Sequence, residues 1–292
     1  MIQSTPNWLV GEIRHAKRGL GQDAVQRTTK LLDKFELPTV CQEARCPNRG
    51  VCFSNRTATF MILGDTCTRG CRFCAVKYNK FPAPVDENEP ERLSLAIAEM
   101  DIRHAVITSV TRDDLPDGGA GHYAKTVRTL RKNSPDTTIE LLIPDFGGSD
   151  EALRSVVDEG PDILAHNVDT VVRLHRKIKP RANHDRSLTL LRRVKEMAPK
   201  MVTKSGVMLG LGETAEDVAQ ELTTLRDTGC NMLTLGQYLA PSLKHTAVVR
   251  FLEPAEFVFW GTFARELGFE SVASGPLVRS SYNASVFFKD LS

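Results

Sequence analysis

Short apolar runs alternate with longer amphipathic segments along most of the chain, starting near residue 57. An unbroken apolar run of about four to eight residues predicts a buried strand, whereas apolar positions that recur every three or four residues predict a helix. On this basis six strands are predicted: Thr57–Leu63, His104–Ser109, Thr138–Ile143, Ile163–Asn167, Val202–Met208 and Asn231–Leu235.

Helical patterns fill the intervals between these strands. Thr214 can cap one of them, because Asp217 follows three residues later, and Pro254 suits the first position of another. A further helix is predicted ahead of the first strand. The predicted helices are Gln22–Phe35, Glu91–Met100, His122–Lys132, Asp150–Asp158, Ser187–Met197, Ala215–Asp227 and a last one from Pro254 to about Leu267.

Strands that alternate with helices pair in parallel through right-handed crossovers. Six such units, from Thr57 to Phe269, are fewer than the eight of a complete barrel, which takes about 250 residues. The sequence therefore predicts an α/β fold, a partial TIM-type (β/α)6 barrel over residues 57–270. An N-terminal extension (1–56) precedes it and a C-terminal tail (271–292) follows. Chemistry is expected at the carboxyl ends of the strands.

The composition is that of an ordinary globular protein, with 41% hydrophobic residues, 25% charged residues and a net charge of +2. A charge so close to neutral does not favour nucleic acid or a membrane surface as a partner. No apolar run approaches the roughly 20 residues that span a bilayer, and the first residues contain no apolar signal core. A cytoplasmic location is therefore expected, with a mature organellar form that has lost its leader as the alternative.

Six of the seven cysteines fall between Cys41 and Cys74. In a reducing compartment such a cluster favours metal binding or catalysis over disulfides. Cys230 stands apart, before an apolar strand, and is interpreted as a small buried hydrophobic residue.

Cys67, Cys71 and Cys74 directly follow the first strand with the spacing C-x3-C-x2-C, on a loop that contains a glycine. Three thiolates fill three corners of a [4Fe–4S] cluster and leave the fourth iron open to an exogenous ligand, which is typical of a catalytic site. Structural zinc is the alternative. It usually closes with four ligands, and no His follows this loop at a suitable spacing.

Cys41, Cys46 and Cys52 form a second group with the spacing C-x4-C-x5-C. Again three thiolates are present without an obvious fourth ligand nearby, and the Asn48-Arg49-Gly50 stretch suits a turn. This group predicts a second cluster. A closed metal site that only fastens the N-terminal extension to the barrel is the alternative.

The C-x3-C-x2-C motif resembles the radical S-adenosylmethionine superfamily, and the added C-x4-C-x5-C motif resembles the lipoyl synthase family within it. Asp169 stands where that family leads us to expect Glu. The resemblance extends over most of the chain, through Cys41–Ala44, Thr108–Gly119, His166–Val168, Gly206–Glu213 and Arg279–Ala284.

This resemblance implies radical sulfur insertion. S-adenosylmethionine would chelate the open iron of the Cys67/Cys71/Cys74 cluster, and its reductive cleavage would give a 5′-deoxyadenosyl radical that takes hydrogen from an octanoyl chain. The Cys41/Cys46/Cys52 cluster would supply the sulfur. Two rounds, at C6 and C8, would convert protein-bound octanoyl-lysine into lipoyl-lysine.

The resemblance also implies a fourth ligand for the Cys41/Cys46/Cys52 cluster. It comes from the Arg279–Tyr282 motif, and Ser281 is assigned rather than Ser280. An oxygen ligand matches soft iron–sulfur chemistry poorly, which suits a cluster that is opened and consumed. Ser281 is accordingly counted as catalytic together with Cys67, Cys71 and Cys74.

Five further residues are expected near S-adenosylmethionine: Thr108, Ser109, Asn167, Gly210 and Glu213. Taken without the resemblance, the glycines of Gly206–Glu213 are those of a strand–turn–helix junction. The Thr108–Asp114 loop is equally typical of turn or cap residues.

The implied partners are octanoylated lipoyl-carrier domains or the glycine-cleavage H protein, a low-potential electron donor such as ferredoxin or flavodoxin, and an iron–sulfur cluster carrier. Two basic groups are either solvated faces or a docking surface for an acidic carrier domain. They are Arg14, Lys17, Arg18, Arg27, Lys30 and Lys34, and Arg173, Arg176, Lys177, Lys179 and Arg181.

Three alternative functions remain open on the sequence. One is another two-cluster radical enzyme that inserts sulfur or transfers a methylthio group. Another is a non-enzymatic iron–sulfur electron carrier, which the open corner of the Cys67/Cys71/Cys74 site disfavours, because carriers generally close their clusters with four protein ligands. The last is a zinc-stapled binding module.

Overall fold

The computed structural model describes residues 5–18, 22–54, 58–282 and 284. Thr57, where the first predicted strand begins, and Asn283 of the C-terminal motif lie outside the described residues, as do parts of the predicted extension and tail. The chain divides into two compact units. The amino-terminal unit contains Ile13–Gly70 and Val76–Leu164, and the carboxy-terminal unit contains Cys71–Ala75, the chain from Ala165 onward and the described residues up to Glu12.

Parallel strands form the centre of the fold. In chain order they are β1 (Thr59–Ile62), β2 (Thr66–Cys67), β3 (Lys77–Tyr78), β4 (His104–Ser109), β5 (Thr138–Leu142), β6 (Ile163–Ala165), β7 (Val202–Leu209), β8 (Met232–Gln237) and β9 (Ser271–Gly275).

Helices separate the longer strands. They are α1 (Asn7–Arg18), α2 (Gln22–Lys34), α3 (Val40–Glu43), α4 (Arg49–Ser54), α5 (Glu89–Glu99), α6 (Ala120–Asn133), α7 (Asp150–Val157), α8 (Val172–Ile178), α9 (His184–Met197), α10 (Ala215–Asp227) and α11 (Pro254–Glu266), with a 3-10 turn at Phe146–Gly148.

Within the amino-terminal unit the strand order of the main sheet is β1-β4-β5-β6. The pairing is parallel, with Phe60 opposite Ile107 and Ile107 opposite Leu141. These three side chains are fully buried, as expected for a parallel sheet whose two faces are both covered. A separate two-stranded ribbon, β2 with β3, lies in the same unit.

Within the carboxy-terminal unit the order is β7-β8-β9, also parallel. The predicted capping box is confirmed. Thr214 accepts a hydrogen bond from the backbone N–H of Asp217, whose carboxylate in turn accepts from the N–H of Thr214. Pro254 occupies the first turn of α11, as predicted.

The predicted α/β class is confirmed, and each of the six predicted strands and seven predicted helices overlaps an observed one. The main sheet of the described chain has a seventh strand, β9, within the segment assigned to the tail. Its sequence, SVASG, contains too few large apolar residues to stand out as a buried strand. Helices α1, α3, α4 and α8 were not given bounds by the sequence pattern, and Arg49 and Gly50, which were predicted in a turn, begin helix α4. No described helix is both long and apolar enough to cross a membrane.

Candidate functional site

Two short helices, α3 and α4, carry the first cysteine group. Thr39 caps α3, with its hydroxyl oxygen accepting from the N–H of Gln42 at 3.3 Å. The N–H of Cys46 donates to the carbonyl of Cys41 at 3.1 Å, and the N–H of Cys52 donates to that of Asn48 at 2.9 Å. These backbone hydrogen bonds therefore place the three cysteines in consecutive turns of one segment.

Burial raises the pKa of the Cys41 thiol to about 11 and that of Cys52 to about 12. Negative charge on Cys41 and Cys46 adds to the shift at Cys52, so the thiols oppose one another's ionisation. A cation bound beside Cys41 and Cys52 would favour their thiolate forms.

The donor sets fit iron–sulfur ligation. All seven cysteines are free thiols, and thiolate is the soft donor that iron–sulfur clusters take. Within the described ranges, no three His, Cys, Asp or Glu side chains form a group that could hold a single metal ion. A four-iron cluster binds each cysteine at a different corner, which is a wider arrangement than the shell of one ion. Cys230 is fully buried against backbone carbonyls, which confirms its structural interpretation.

The second cysteine group lies on the loop that begins with β2. Gly70, in the middle of the loop, has φ of +60°, and a Cβ there would come within 3.0 Å of the ring of Tyr78 on β3. Glycine is therefore required at this turn both for its backbone conformation and for the close approach of the ring.

Charged and polar side chains hold the first half of this loop within the amino-terminal unit. The hydroxyl of Thr68 donates to the Thr111 carbonyl at 3.0 Å. Arg69 donates to both carboxylate oxygens of Asp113, at 2.7 and 2.9 Å, and to Asp145 at 2.5 Å. Asp113 follows β4 and Asp145 follows β5, so the ends of two strands fix one loop.

A different set of contacts holds the second half of the loop within the carboxy-terminal unit. The N–H of Arg72 donates to the Ile178 carbonyl, and the Arg72 carbonyl accepts from the N–H of Thr246, both at 2.9 Å. His245 Nε2 donates to the Cys74 carbonyl at 3.1 Å, while its Nδ1 accepts from the Ser242 hydroxyl at 2.9 Å. Sequence reasoning missed these contacts, because nothing near His245 in the sequence resembles a ligand motif.

Thr108 and Ser109 end β4, as predicted. The hydroxyl of Thr108 donates to the carbonyl of Leu142 at 2.9 Å and so has a structural bond. The buried hydroxyl of Ser109 makes no hydrogen bond of good geometry among the described residues, although it lies close enough to the Tyr123 hydroxyl to lower the pKa of that group. Burial without a partner costs a hydroxyl free energy, which makes Ser109 the better candidate of the two to bind a ligand.

Asn167 follows β6 beside a strained residue. Asp169 has φ of +68° and is held by the backbone of β7 and by an ion pair of 2.7 Å from the buried Lys179. The side-chain oxygen of Asn167 is buried without a partner, and a Cβ on Gly206 would come within 3.0 Å of it. Asn167 therefore has an acceptor available for a ligand.

Glu213 closes the turn that follows β7. Its two carboxylate oxygens accept from the N–H groups of Gly210, at 2.5 Å, and Leu211, at 2.9 Å. Gly210 has φ of +101°, and a Cβ there would come within 2.2 Å of the Gln237 amide. The strand–turn–helix interpretation of this stretch is confirmed by these bonds.

Ser281 lies in a turn that follows β9. The N–H of Tyr282 donates to the Arg279 carbonyl at 3.0 Å, and the N–H of Val278 donates to that of Gly275 at 3.1 Å. Gly236 at the end of β8 has no room for a Cβ, since the Val278 carbonyl oxygen would lie 2.1 Å from it. The carboxyl ends of β8 and β9 thus fix the Arg279–Tyr282 turn.

The second basic group is partly used inside the protein. Arg173 pairs with Asp217 at 2.6 Å, and the buried Lys179 pairs with Asp169. In the first group, Lys34 pairs with Glu99 at 2.5 Å. The prediction that Lys179 belongs to a docking surface is therefore wrong, because the ammonium group of Lys179 is buried in the fold.

Comparison with known proteins defines the class. The model of the Radical SAM superfamily matches residues 61–225 of the chain. Solved structures share the fold. HydG, a maturase of the [FeFe]-hydrogenase, matches with a TM-score of 0.57 at 12% identity, over 92% of this chain and 66% of that one. Methylornithine synthase has a TM-score of 0.51 at 15% identity, covering 82% and 67%. The chain belongs to the radical S-adenosylmethionine superfamily.

Curated relatives define the family. The chain is 52% identical to the lipoyl synthase of Caldanaerobacter subterraneus subsp. tengcongensis over 98% of both chains. It is 50% identical to that of Chloroflexus aurantiacus, over 96% of this chain and 89% of the relative, and 52% identical to that of Methylococcus capsulatus, over 96% and 85%. Within the superfamily, it belongs to the lipoyl synthase family.

Proposed function

We propose that this protein converts octanoyl-lysine on a carrier protein into lipoyl-lysine by inserting sulfur at C6 and C8. The observation that carries the proposal is the presence of two separate groups of three free cysteines in a chain about half identical to lipoyl synthases along nearly its whole length. No buried side chain has the basicity to remove a proton from an alkyl chain, so a cofactor must supply the reactive species.

Cys67, Cys71 and Cys74 would hold one [4Fe–4S] cluster, and Cys41, Cys46 and Cys52 would hold a second. With S-adenosylmethionine, the cluster held by Cys67, Cys71 and Cys74 would supply a radical able to abstract hydrogen. The chain's own task is to position the reactants and to exclude water. Support for the two-cluster assignment comes from the cysteine spacings and from the separate sets of contacts around each group.

Ser109 and Asn167 are proposed to contact S-adenosylmethionine. Each presents a buried side-chain oxygen that makes no hydrogen bond of good geometry among the described residues, and both stand at the carboxyl end of a strand. Thr108, Gly210 and Glu213 are proposed as supporting residues, because each shapes a strand end through hydrogen bonds or a close approach.

The partners are proposed by chemistry. An octanoylated lipoyl-carrier domain or glycine-cleavage H protein would bring the substrate. Ferredoxin or flavodoxin would supply low-potential electrons, and an iron–sulfur carrier would restore the consumed cluster.

Mass spectrometry of an octanoyl-lysyl peptide tests the proposal. The protein, loaded anaerobically with iron and sulfide, is incubated with the peptide, S-adenosylmethionine and a reductant. Two hydrogens replaced by two sulfurs is the expected product. Release of 5′-deoxyadenosine with an unchanged peptide would instead assign a different substrate, and an EPR signal unaffected by S-adenosylmethionine would favour an electron carrier.

Ser281 is proposed as the fourth ligand of the Cys41/Cys46/Cys52 cluster. Its hydroxyl is a weaker match for iron than a thiolate, so this corner would open easily. We expect Ser281→Cys to retain iron and sulfide but to lower sulfur insertion well below that of the wild type, since a thiolate holds the corner more firmly. Ser280→Cys is the matched control and should lipoylate normally. Undiminished lipoylation by Ser281→Cys would remove the assignment.

A further inference from the structure

The Cys67–Cys74 loop, called the cluster-binding loop below, contains an arginine between its first two cysteines. This arginine is almost wholly buried. The side chain of Arg69 is 8% exposed, and that of its partner Asp145 is 1% exposed. An isolated buried charge is costly, so such a group persists when it is paired and when its geometry is useful.

The pairing is unusually complete. Nε and Nη2 of Arg69 bind the two oxygens of Asp113 side by side, and Nη2 also reaches Asp145 at 2.5 Å. Asp145 is itself oriented by the N–H of Gly147, at 3.2 Å. The planar fork of a guanidinium allows this arrangement, which a single ammonium group does not reproduce.

A second contact beside it is reciprocal. The single hydroxyl hydrogen of Thr68 has two acceptors within reach, the Thr111 carbonyl and the Asp113 carboxylate, each at 3.0 Å, while the N–H of Asp113 donates back to the hydroxyl oxygen at 3.1 Å. The N–H of Thr68 also donates to the Thr111 carbonyl at 3.0 Å. Two consecutive loop residues are thus fixed to the end of β4, and one of them also to the end of β5.

We propose that Arg69, Asp113 and Asp145 form a positioning trio that fixes the Cys67–Gly70 half of the cluster-binding loop and lowers the reduction potential of the cluster bound by this loop. One positive and two negative formal charges leave the trio with a net charge of −1. Negative charge close to a cluster disfavours the gain of an electron. A low potential is what the reductive cleavage of a sulfonium requires. The second half of this inference rests on the proposed function; the first rests on the contacts alone.

The variants Arg69→Lys and Asp145→Asn separate the positioning of the loop from the effect on the reduction potential. Lysine retains the charge and loses the fork, whereas asparagine retains the shape and removes one negative charge. Arg131→Lys is the matched control, because Arg131 pairs with Asp162 at 2.8 Å in the same unit and contacts no loop cysteine in the described chain.

The first measurement needs no cluster and no activity. Iodoacetamide labelling of the cluster-free protein, read by mass spectrometry, gives the labelling rate of Cys67 relative to that of Cys46. We expect Arg69→Lys to raise this ratio about tenfold, the change that follows when one charge-assisted hydrogen bond is lost. Arg131→Lys should leave it unchanged. A ratio in Arg69→Lys equal to that of the wild type would overturn the positioning role, even if lipoylation itself were established.

The second measurement is the midpoint potential of the EPR signal that responds to S-adenosylmethionine. Asp145→Asn should move this potential to a more positive value, whereas Arg131→Lys should not move it. A shift with an unchanged melting temperature supports the electrostatic role. An unmoved potential, or a loss of melting temperature with no shift, would overturn that role. If the wild type gives no such signal, the proposed function fails and the electrostatic role fails with it, while the labelling ratio still decides the positioning role.

Discussion

The Cys41–Cys52 segment and the Cys67–Cys74 loop each carry three cysteines, but the protein holds them by different means. The first is folded into two short helices, and most of its bonds run between backbone groups a few residues apart. The second has almost no regular structure, and long-range bonds from Arg69, His245 and their neighbours hold it.

The two segments therefore depend on different interactions for their conformation. The backbone bonds of the first segment join groups that are close in the sequence, but helices as short as α3 and α4 persist only when they are packed against the rest of the protein. The loop depends on side chains that only the folded strands bring near. Substitution of a single distant side chain should therefore change the conformation of the loop. The conformation of the helical segment should change mainly when its packing is changed.

The largest expected effect separates the two groups of cysteines by chemistry. Cys71→Ala should reduce both the cleavage of S-adenosylmethionine and sulfur insertion to background. Cys46→Ala should abolish sulfur insertion and leave cleavage active. Chromatography of 5′-deoxyadenosine and mass spectrometry of the peptide measure the two rates. Equal loss of both activities in Cys46→Ala would contradict the proposed division of roles.

The next effect concerns packing of the helical segment. Gly50 in α4 lies directly against α1, and a Cβ there would come within 2.2 Å of the Lys17 carbonyl oxygen. Gly50→Ala should therefore destabilise the protein by about 1–3 kcal/mol, as overpacking does. Thermal melting measures the loss, and less iron should bind.

Gly11→Ala is the control for that substitution. Gly11 lies within α1, and a Cβ there meets no atom within 4 Å. Removing the backbone freedom of a helical glycine stabilises by about 0.5–1 kcal/mol. A Gly50→Ala variant as stable as Gly11→Ala would show that α1 and α4 do not pack as described.

The smallest effect concerns the second half of the loop. His245→Phe removes the bonds to Cys74 and Ser242, which together contribute about 1–3 kcal/mol. We expect a several-fold lower fraction of chains with a cluster that responds to S-adenosylmethionine, measured by EPR. His245→Gln, which keeps a donor at this position, should recover part of the loss; equal loading in all three proteins would remove His245 from the loop's support.

The order of the elements and the cysteine groups were predictable from the sequence because both depend on local spacing. Apolar runs gave β4 with its observed bounds, and the Thr214 cap placed α10 at Ala215–Asp227. Strand β9 was missed because its small and polar residues carry little hydrophobic signal.

For the candidate site, the spacing of the cysteines indicated the chemistry, but the residues that support the cysteine loop could not be predicted from the sequence. Asp113 and Asp114 read as turn residues in isolation; in the structure they pair with Arg69 and Arg112.

The sequence by itself determined the type of most elements, the two groups of closely spaced cysteines and the family, because hydrophobic periodicity, helix caps and cysteine spacing act over a few residues. Only the tertiary structure decided that Arg69 meets Asp145 across 76 positions and that His245 reaches Cys74 across 171. The pairing order of the strands sets such contacts, and no local pattern encodes which loop ends will meet.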